Sequence, residues 1–185
     1  MADKDPFLVP AFSFRNRLFR AFWGVIYALF FRFSPRPLNG WRRFLLRCFG
    51  ATIGPHCNVH PRARIWAPWN LNCGEYSAIG DGANIYNPRT VTLGSHSIVS
   101  QDAYLCGATH DYEDPRFPLI SSTIVLGDYA WVCARASVHP GVSLGEGAIL
   151  GLGAVATRDL EPWTVYAGVP ARKVKGRVIR SAPKN

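Results

Sequence analysis

An aliphatic or cysteine side chain followed by a small or turn-prone one returns every six residues along most of this chain. The beat falls first at Ile53, Val59 and Ile65, then at Cys73, Ile79 and Ile85, then at Leu93, Val99 and Leu105. After a break it resumes at Leu126, Val132, Val138, Leu144 and Leu150. Four residues beyond most of these positions stands a small side chain: Cys57, Ala63, Ser77, Ala83, Ser97, Ala103, Thr109, Ala130, Ala136, Ala148 and Ala154. The pattern predicts a mainly β solenoid in which each six-residue rung is a short strand that points one apolar side chain inward and then bends. Three rungs close a triangular coil. A single rung cannot bury its apolar residue alone, so stability must come from coil stacked on coil through backbone pairing.

The register counts the coils. Two-residue steps at Leu71–Asn72 and Val91–Thr92 restart the beat at Cys73 and Leu93, and the period fails over residues 111–123, DYEDPRFPLISST. This predicts about five coils over residues 51–161, one of them interrupted by a protruding loop at 111–123, between a segment 1–50 and a tail 162–185.

The first segment has its own character. Residues 21–31, AFWGVIYALFF, form an uncharged apolar run that is too short for the roughly 20 residues a membrane-spanning helix needs. It starts too late for a signal peptide, and its downstream flank lacks a small-residue cleavage pattern. Two readings stand open: a helix that caps the open end of the solenoid, or an aromatic, arginine-flanked element that lies in the face of an anionic membrane. Pro35 and Pro37 end the segment, and Trp41–Phe49 is expected to form a second short helix that leads into the first coil.

Charge sharpens this picture. Of the net +9, the first 50 residues supply +7, from nine basic residues against Asp3 and Asp5. No nucleic-acid-binding motif accompanies the patch, so an anionic surface is the preferred partner and nucleic acid is not expected. The five cysteines include no CxxC pair, which fits free thiols in a reducing compartment rather than a disulfide framework.

Several motifs now converge. The six-residue run, Thr109–His110 ahead of the insertion, LGDYAW at 126–131, the Pro140–Gly141 turn and AGVPAR at 167–172 together resemble the hexapeptide acyltransferases of the maltose, galactoside and serine acetyltransferase group. Nearer still is the likeness to the colanic acid biosynthesis acetyltransferases. The likeness to the wider group covers residues 51–176, and the lead-in RRFLLR at 42–47 extends the nearer match upstream. The resemblance implies a left-handed parallel β-helix, assembly as a homotrimer, and acetyl-CoA lying in the groove between subunits. The hand comes from the family alone, since right-handed crossovers are the general rule.

The implied chemistry is acetyl transfer from a thioester to a sugar hydroxyl, which needs a base to take the hydroxyl proton. His110, at the mouth of the loop, matches the family's catalytic histidine. His56, His60, His96 and His139 read as surface residues. The related γ-class carbonic anhydrases bind a metal through histidines paired five residues apart, a spacing absent here, so no metal is expected. Ala134 falls at the family's backbone donor to the thioester oxygen, without the hydroxyl that a serine there would add.

Asn87 and Asp111 are the candidates for the acceptor sugar. Asn87 is placed one strand spacing from His110 on a shared face, with a turn-stabilising role before Pro88 as its alternative. Asp111 either orients the base, binds a sugar hydroxyl, or is a solvated turn carboxylate. For acetyl-CoA the resemblance implies Leu152 and Gly153 beside the adenine and pantetheine arm, Thr157 and Arg158 close by, and Arg172 and Lys175 of the tail on the phosphates. Trp131 fits the aromatic wall of that groove or an anchor between subunits.

The expected function is therefore an acetyl-CoA-dependent O-acetyltransferase of exopolysaccharide synthesis, cytoplasmic or at the inner face of the cell membrane. The alternatives are acyl transfer to an amino sugar, a nucleotide sugar or a small alcohol, and a β-helix trimer without catalysis.

Overall fold

The computed structural model of the protein describes residues 10–179. The first nine residues of the 1–50 segment, with Asp3, Lys4 and Asp5, and the last six of the tail lie outside the described residues.

The six-residue beat produces a three-sided parallel solenoid. Its first face stacks the strands Thr52–Ile53, Leu71–Cys73, Val91–Leu93, Ile124–Leu126 and Ser143–Leu144. The second stacks Asn58–Val59, Ala78–Ile79, Ile98–Val99, Trp131–Val132, Ile149–Leu150 and Thr164–Ala167, and the antiparallel strand Arg172–Gly176 closes it. The third stacks Arg64–Ile65, Asn84–Tyr86, Tyr104–Cys106, Ser137–Val138 and Val155–Ala156. In most of these strands an outward residue alternates with a buried one, and the inward positions from Ile53 to Leu150 are all buried. Five coils close as the register implied, and a sixth begins at Leu160, which bridges to Leu144. The expected tail thus contributes its first residues to the second face.

The two-residue steps are visible as a change of pitch in the pairing. Thr52 pairs with Asn72 and Asn72 with Thr92, twenty residues per coil, whereas Val125 pairs with Ser143, eighteen residues on. The extra residues sit at the corner between the third and first faces, where Pro68–Asn70 makes a short 3-10 turn.

Two helices close the N-terminal end. Helix α1 (Phe14–Ile26) starts well before the apolar run, with Ser13 Oγ accepting from the Asn16 amide, and continues as a π-helical turn through Phe31. Helix α2 spans Asn39–Cys48. Together they satisfy groups on each edge strand of the first coil. Arg47 donates to the Ile53 carbonyl on the first face, and Trp23 Nε1 donates to Ile65 on the third. On the second face Asn39 bonds the Cys57 carbonyl and the Val59 amide, and Arg42 Nε donates to the Val59 carbonyl. An open strand edge would otherwise invite pairing with another chain. Among the described residues the fully buried Arg42 has no acidic partner, and its remaining donors are taken by Ser34 Oγ and the carbonyls of Pro35 and Arg36. Two of the nine basic residues counted in the sequence are therefore occupied by the solenoid's own carbonyls.

The expected loop at 111–123 is a β-hairpin that leaves the solenoid earlier, at Gly107. Its arms, Ala108–His110 and Leu119–Ser121, pair antiparallel, and Ser122 N closes the base on the Gly107 carbonyl. Gly107 is required there because a Cβ would stand 2.5 Å from the Tyr86 carbonyl oxygen of the coil below. Thr109, read from the repeat as an inward small residue, is accordingly exposed on the hairpin arm.

Candidate active site

His110 ends the first arm of this hairpin, and its imidazole is exposed. Nδ1 lies 2.8 Å from the carbonyl oxygen of Phe117, and the two rings stack with centroids 4.5 Å apart and planes 8° from parallel. A carbonyl oxygen can only accept, so Nδ1 carries the proton of the neutral ring and Nε2 carries the lone pair. Phe117 holds this arrangement from a left-handed backbone conformation, φ 46°, which costs a bulky residue on the order of 1–3 kcal/mol. The sequence offered no sign of this contact, because a backbone carbonyl leaves no trace in residue identity.

The orienting contact considered for Asp111 is thus made by Phe117. Asp111 Oδ1 instead accepts from the amides of Glu113 and Asp114, an Asx turn that shapes the hairpin tip. Asp114 and Arg116 pair across the same tip, and the guanidinium lowers the Asp114 carboxyl to about 2.

Asn87 is a correction. It is fully buried at the corner below Gly107, with Oδ1 accepting from the Ala67 amide at 2.9 Å and Nδ2 donating to the Ala67 carbonyl at 2.8 Å. Both ends of its amide are bonded to backbone and the side chain is fully buried, so its remaining N–H is not presented to a sugar. The turn-stabilising alternative is what the geometry supports.

The residues expected to hold the acyl donor lie mostly along the second face and its corner with the third. Ala134 and Gly153 occupy this corner in successive coils, and the Gly153 amide donates to the Ala134 carbonyl. Leu152 is 76% exposed beside them. Trp131 points outward from the second face and donates from Nε1 to Ser100 Oγ at 2.8 Å. Its register row runs Trp131, Ile149, Val165, Lys175, which sets Lys175 three strands away, about 14 Å along the stack. Arg172, on the same final strand, is exposed. Thr157 and Arg158 are exposed at the next corner, between the third and first faces, on the His110 side of the solenoid. Within one chain, then, His110 and the residues expected to hold the acyl donor lie at opposite edges of the third face.

The other histidines separate. His56 and His96 belong to a ladder of rings, His56, Tyr76, His96, Tyr129 and Trp163, that climbs the corner between the first and second faces with centroids 4.8 to 6.3 Å apart. All five take left-handed turn conformations. Gly147 stands where the fifth coil would add another ring, and its missing Cβ leaves room for Trp163 to reach Tyr129. Arg177 seals the top, with its guanidinium 5.6 Å from the Trp163 ring centroid and bonded to the carbonyls of Tyr129 and Gly147. Rings that recur at one position of the repeat are the sequence signal for this ladder. Among the described residues, no three His, Cys, Asp or Glu side chains cluster so as to hold a metal ion.

The chain is 36% identical over 179 residues, 96% of its length and 98% of the relative's, to "Putative colanic acid biosynthesis acetyltransferase WcaF" of Escherichia coli K12. It is 26% identical over 137 residues to the galactoside O-acetyltransferase of the same organism, which covers 72% of this chain and 68% of that one. A hexapeptide-repeat acetyltransferase of Vibrio cholerae O1 biovar eltor, solved in complex with acetyl-coenzyme A, superposes with a TM-score of 0.83 at 21% identity and covers 92% of this chain and 93% of its own. No protein-family model matches the chain.

Proposed function

This chain belongs to the hexapeptide-repeat acetyltransferases, and from that premise we propose that it transfers acetyl from acetyl-CoA to a sugar hydroxyl during exopolysaccharide synthesis. The observation that carries the reading is the imidazole of His110, held through Nδ1 on the Phe117 carbonyl and free at Nε2 on an exposed hairpin. The relative's name ties it to colanic acid, and the galactoside enzyme's name supports a sugar as acceptor.

In the proposed reaction Nε2 takes the proton from the sugar hydroxyl as that oxygen attacks the thioester carbonyl carbon. The Ala134 amide would donate to the oxyanion that forms. Collapse of the tetrahedral intermediate breaks the carbon–sulfur bond, and the coenzyme A sulfur leaves with the proton that Nε2 holds. Phe117 keeps the proton on Nδ1 throughout, so Nε2 serves both transfers without a tautomer change. The acyl donor would lie along Trp131, Leu152 and Gly153 with its phosphates towards Arg172 and Lys175, and Thr157 and Arg158 would meet it from across the groove. Asp111 adjoins the base and is the sugar contact we retain. Because the base and the donor groove occupy separate corners, the working unit is a homotrimer in the cytoplasm whose sites form between subunits.

The test is thiol release from acetyl-CoA with a panel of free, nucleotide-linked and lipid-linked sugars. His110→Ala is expected to lower turnover by roughly two to four orders of magnitude and to leave acetyl-CoA affinity nearly intact. Retention of more than about a tenth of the wild-type rate would reject His110 as the base.

A further inference from the structure

Helix α1 has two apolar faces, and the solenoid uses only one. Trp23, Ile26, Tyr27 and Phe31 turn inward onto the first coil. Phe14, Leu18, Phe22, Val25 and Leu29 are all exposed, at spacings of four, four, three and four residues, which places them on one stripe along the other side, with Phe22 at its edge against Phe49. Phe33 and Leu38, beyond the helix, and Phe44, on α2, are exposed as well. A helix that is apolar on both sides needs a second partner, and a contiguous apolar patch rimmed by polar groups marks an interaction surface.

The charges around the stripe say which partner. Between residues 6 and 74 the sequence contains no Asp or Glu and ten arginines. Arg42 and Arg47 are bonded to the solenoid's carbonyls and Arg62 pairs with Asp81, but Arg15, Arg17, Arg32 and Arg36 are exposed beside the stripe. A second copy of the same face would set arginine against arginine. An anionic lipid surface takes the apolar stripe into its acyl boundary and the arginines at its headgroups. Phe14 to Phe31 spans about 27 Å, enough to lie along such a surface. Among the described residues no helix is long and apolar enough to cross it. Beside the stripe a concavity of about 670 Å³ opens between α1 and Trp69, lined by Leu18, Phe19 and Phe22 with Arg15 at its rim, a shape and polarity suited to one acyl chain.

We propose that the outer face of the N-terminal helices docks the enzyme onto an anionic bilayer, lying in the interface without spanning it. The docking stands independently of the acceptor assigned above. Were the acceptor carried on a lipid, this face would bring the solenoid to it.

The experiment is flotation of the full chain with vesicles of phosphatidylglycerol and phosphatidylcholine in equal parts, with phosphatidylcholine vesicles as the control. Wild-type protein is expected to float with the anionic vesicles only and to detach as salt rises to about 0.5 M. The triple variant Leu18→Ser, Val25→Ser, Leu29→Ser changes side chains that are each more than half exposed. It is expected to bind at least tenfold more weakly with its melting temperature, sedimentation and acetyl transfer to soluble acceptors unchanged. Arg15→Gln with Arg17→Gln and Arg36→Gln should weaken binding likewise and reduce its salt dependence. The proposal is overturned if the wild type does not float, if it floats equally with phosphatidylcholine alone, or if both variants float like the wild type. It is overturned as well if the serine variant changes the number of subunits, which would make this face a contact between copies.

Discussion

Asn87→Ala separates a structural amide from a substrate contact. The wild-type side chain bridges the Ala67 amide and carbonyl, and both residues are fully buried. Truncation leaves two buried backbone groups without partners at roughly 1–3 kcal/mol each, a destabilisation of about 2–6 kcal/mol. For a chain of this size that lowers the melting temperature by roughly 5–20 °C. The assay pairs a thermal melt with acceptor kinetics well below the transition, where KM for the sugar is expected to stay at the wild-type value. Asn87→Asp adds a pH signature. Fully buried and with the Ala67 carbonyl facing it, the new carboxyl has a folded-state pKa raised above its unfolded value near 3.9. The folded state then holds the proton more tightly. Stability is present below pH about 4 and is lost as pH rises through the folded-state pKa. Full stability of Asn87→Ala together with a KM for acceptor raised tenfold or more would refute this reasoning and return Asn87 to the sugar site.

Two further outcomes follow from the same geometry. Arg172→Ala with Lys175→Ala is expected to weaken coenzyme A much more than its 3′-dephosphorylated form, because a charge-assisted contact vanishes with its phosphate; equal losses in calorimetry would remove the 3′-phosphate from the account. Gly147→Ala puts a Cβ 2.4 Å from the Trp163 ring at a φ of +65°, and should destabilise by about 1–3 kcal/mol in chemical denaturation, with hydrogen exchange rising first in Thr164–Ala167 and Arg172–Gly176.

The solenoid was legible because each coil repeats one local rule. An inward aliphatic residue and a small residue at the bend recur until the pattern decides face, register and number of coils. What escaped was what the repeat does not govern. The hairpin starts at Gly107 rather than at residue 111 because antiparallel pairing of Ala108–His110 with Leu119–Ser121 depends on two segments that share no period with the coils. Asn87 was placed on the correct corner, but residue type alone does not tell an amide that points in to Ala67 from one that points out to a ligand. Trp23 and Tyr27 belong to the aromatic run that reads equally as a cap or a membrane-surface element, and Trp23 is buried against Ile65 while Tyr27 packs on the core. The cap and the exposed stripe are two sides of one helix, which an apolar run without a polar stripe could not separate. The hand of the winding came from the family resemblance.

The separation of the proposed base from the proposed donor groove has a consequence that can be counted. His110 leaves the corner between the third and first faces, while Ala134 and Gly153 mark the other edge of the third face and Lys175 lies further out on the second. In a cyclic trimer each site would join the hairpin of one subunit to the donor groove of its neighbour. His110→Ala and the double variant Arg172→Glu, Lys175→Glu should each be inactive alone, the first without a base and the second with carboxylates facing the cofactor phosphates. If the two are unfolded together and refolded as an equal mixture, a site works where an intact hairpin meets an intact groove. Random assembly makes that true at about a quarter of the interfaces, so activity should return to about a quarter of the wild-type rate. A site contained within one chain predicts no recovery, because every chain in the mixture lacks one half. Thiol release that stays at the level of the separate variants, from a mixture shown by mass spectrometry to contain both chains in one assembly, would remove the shared site.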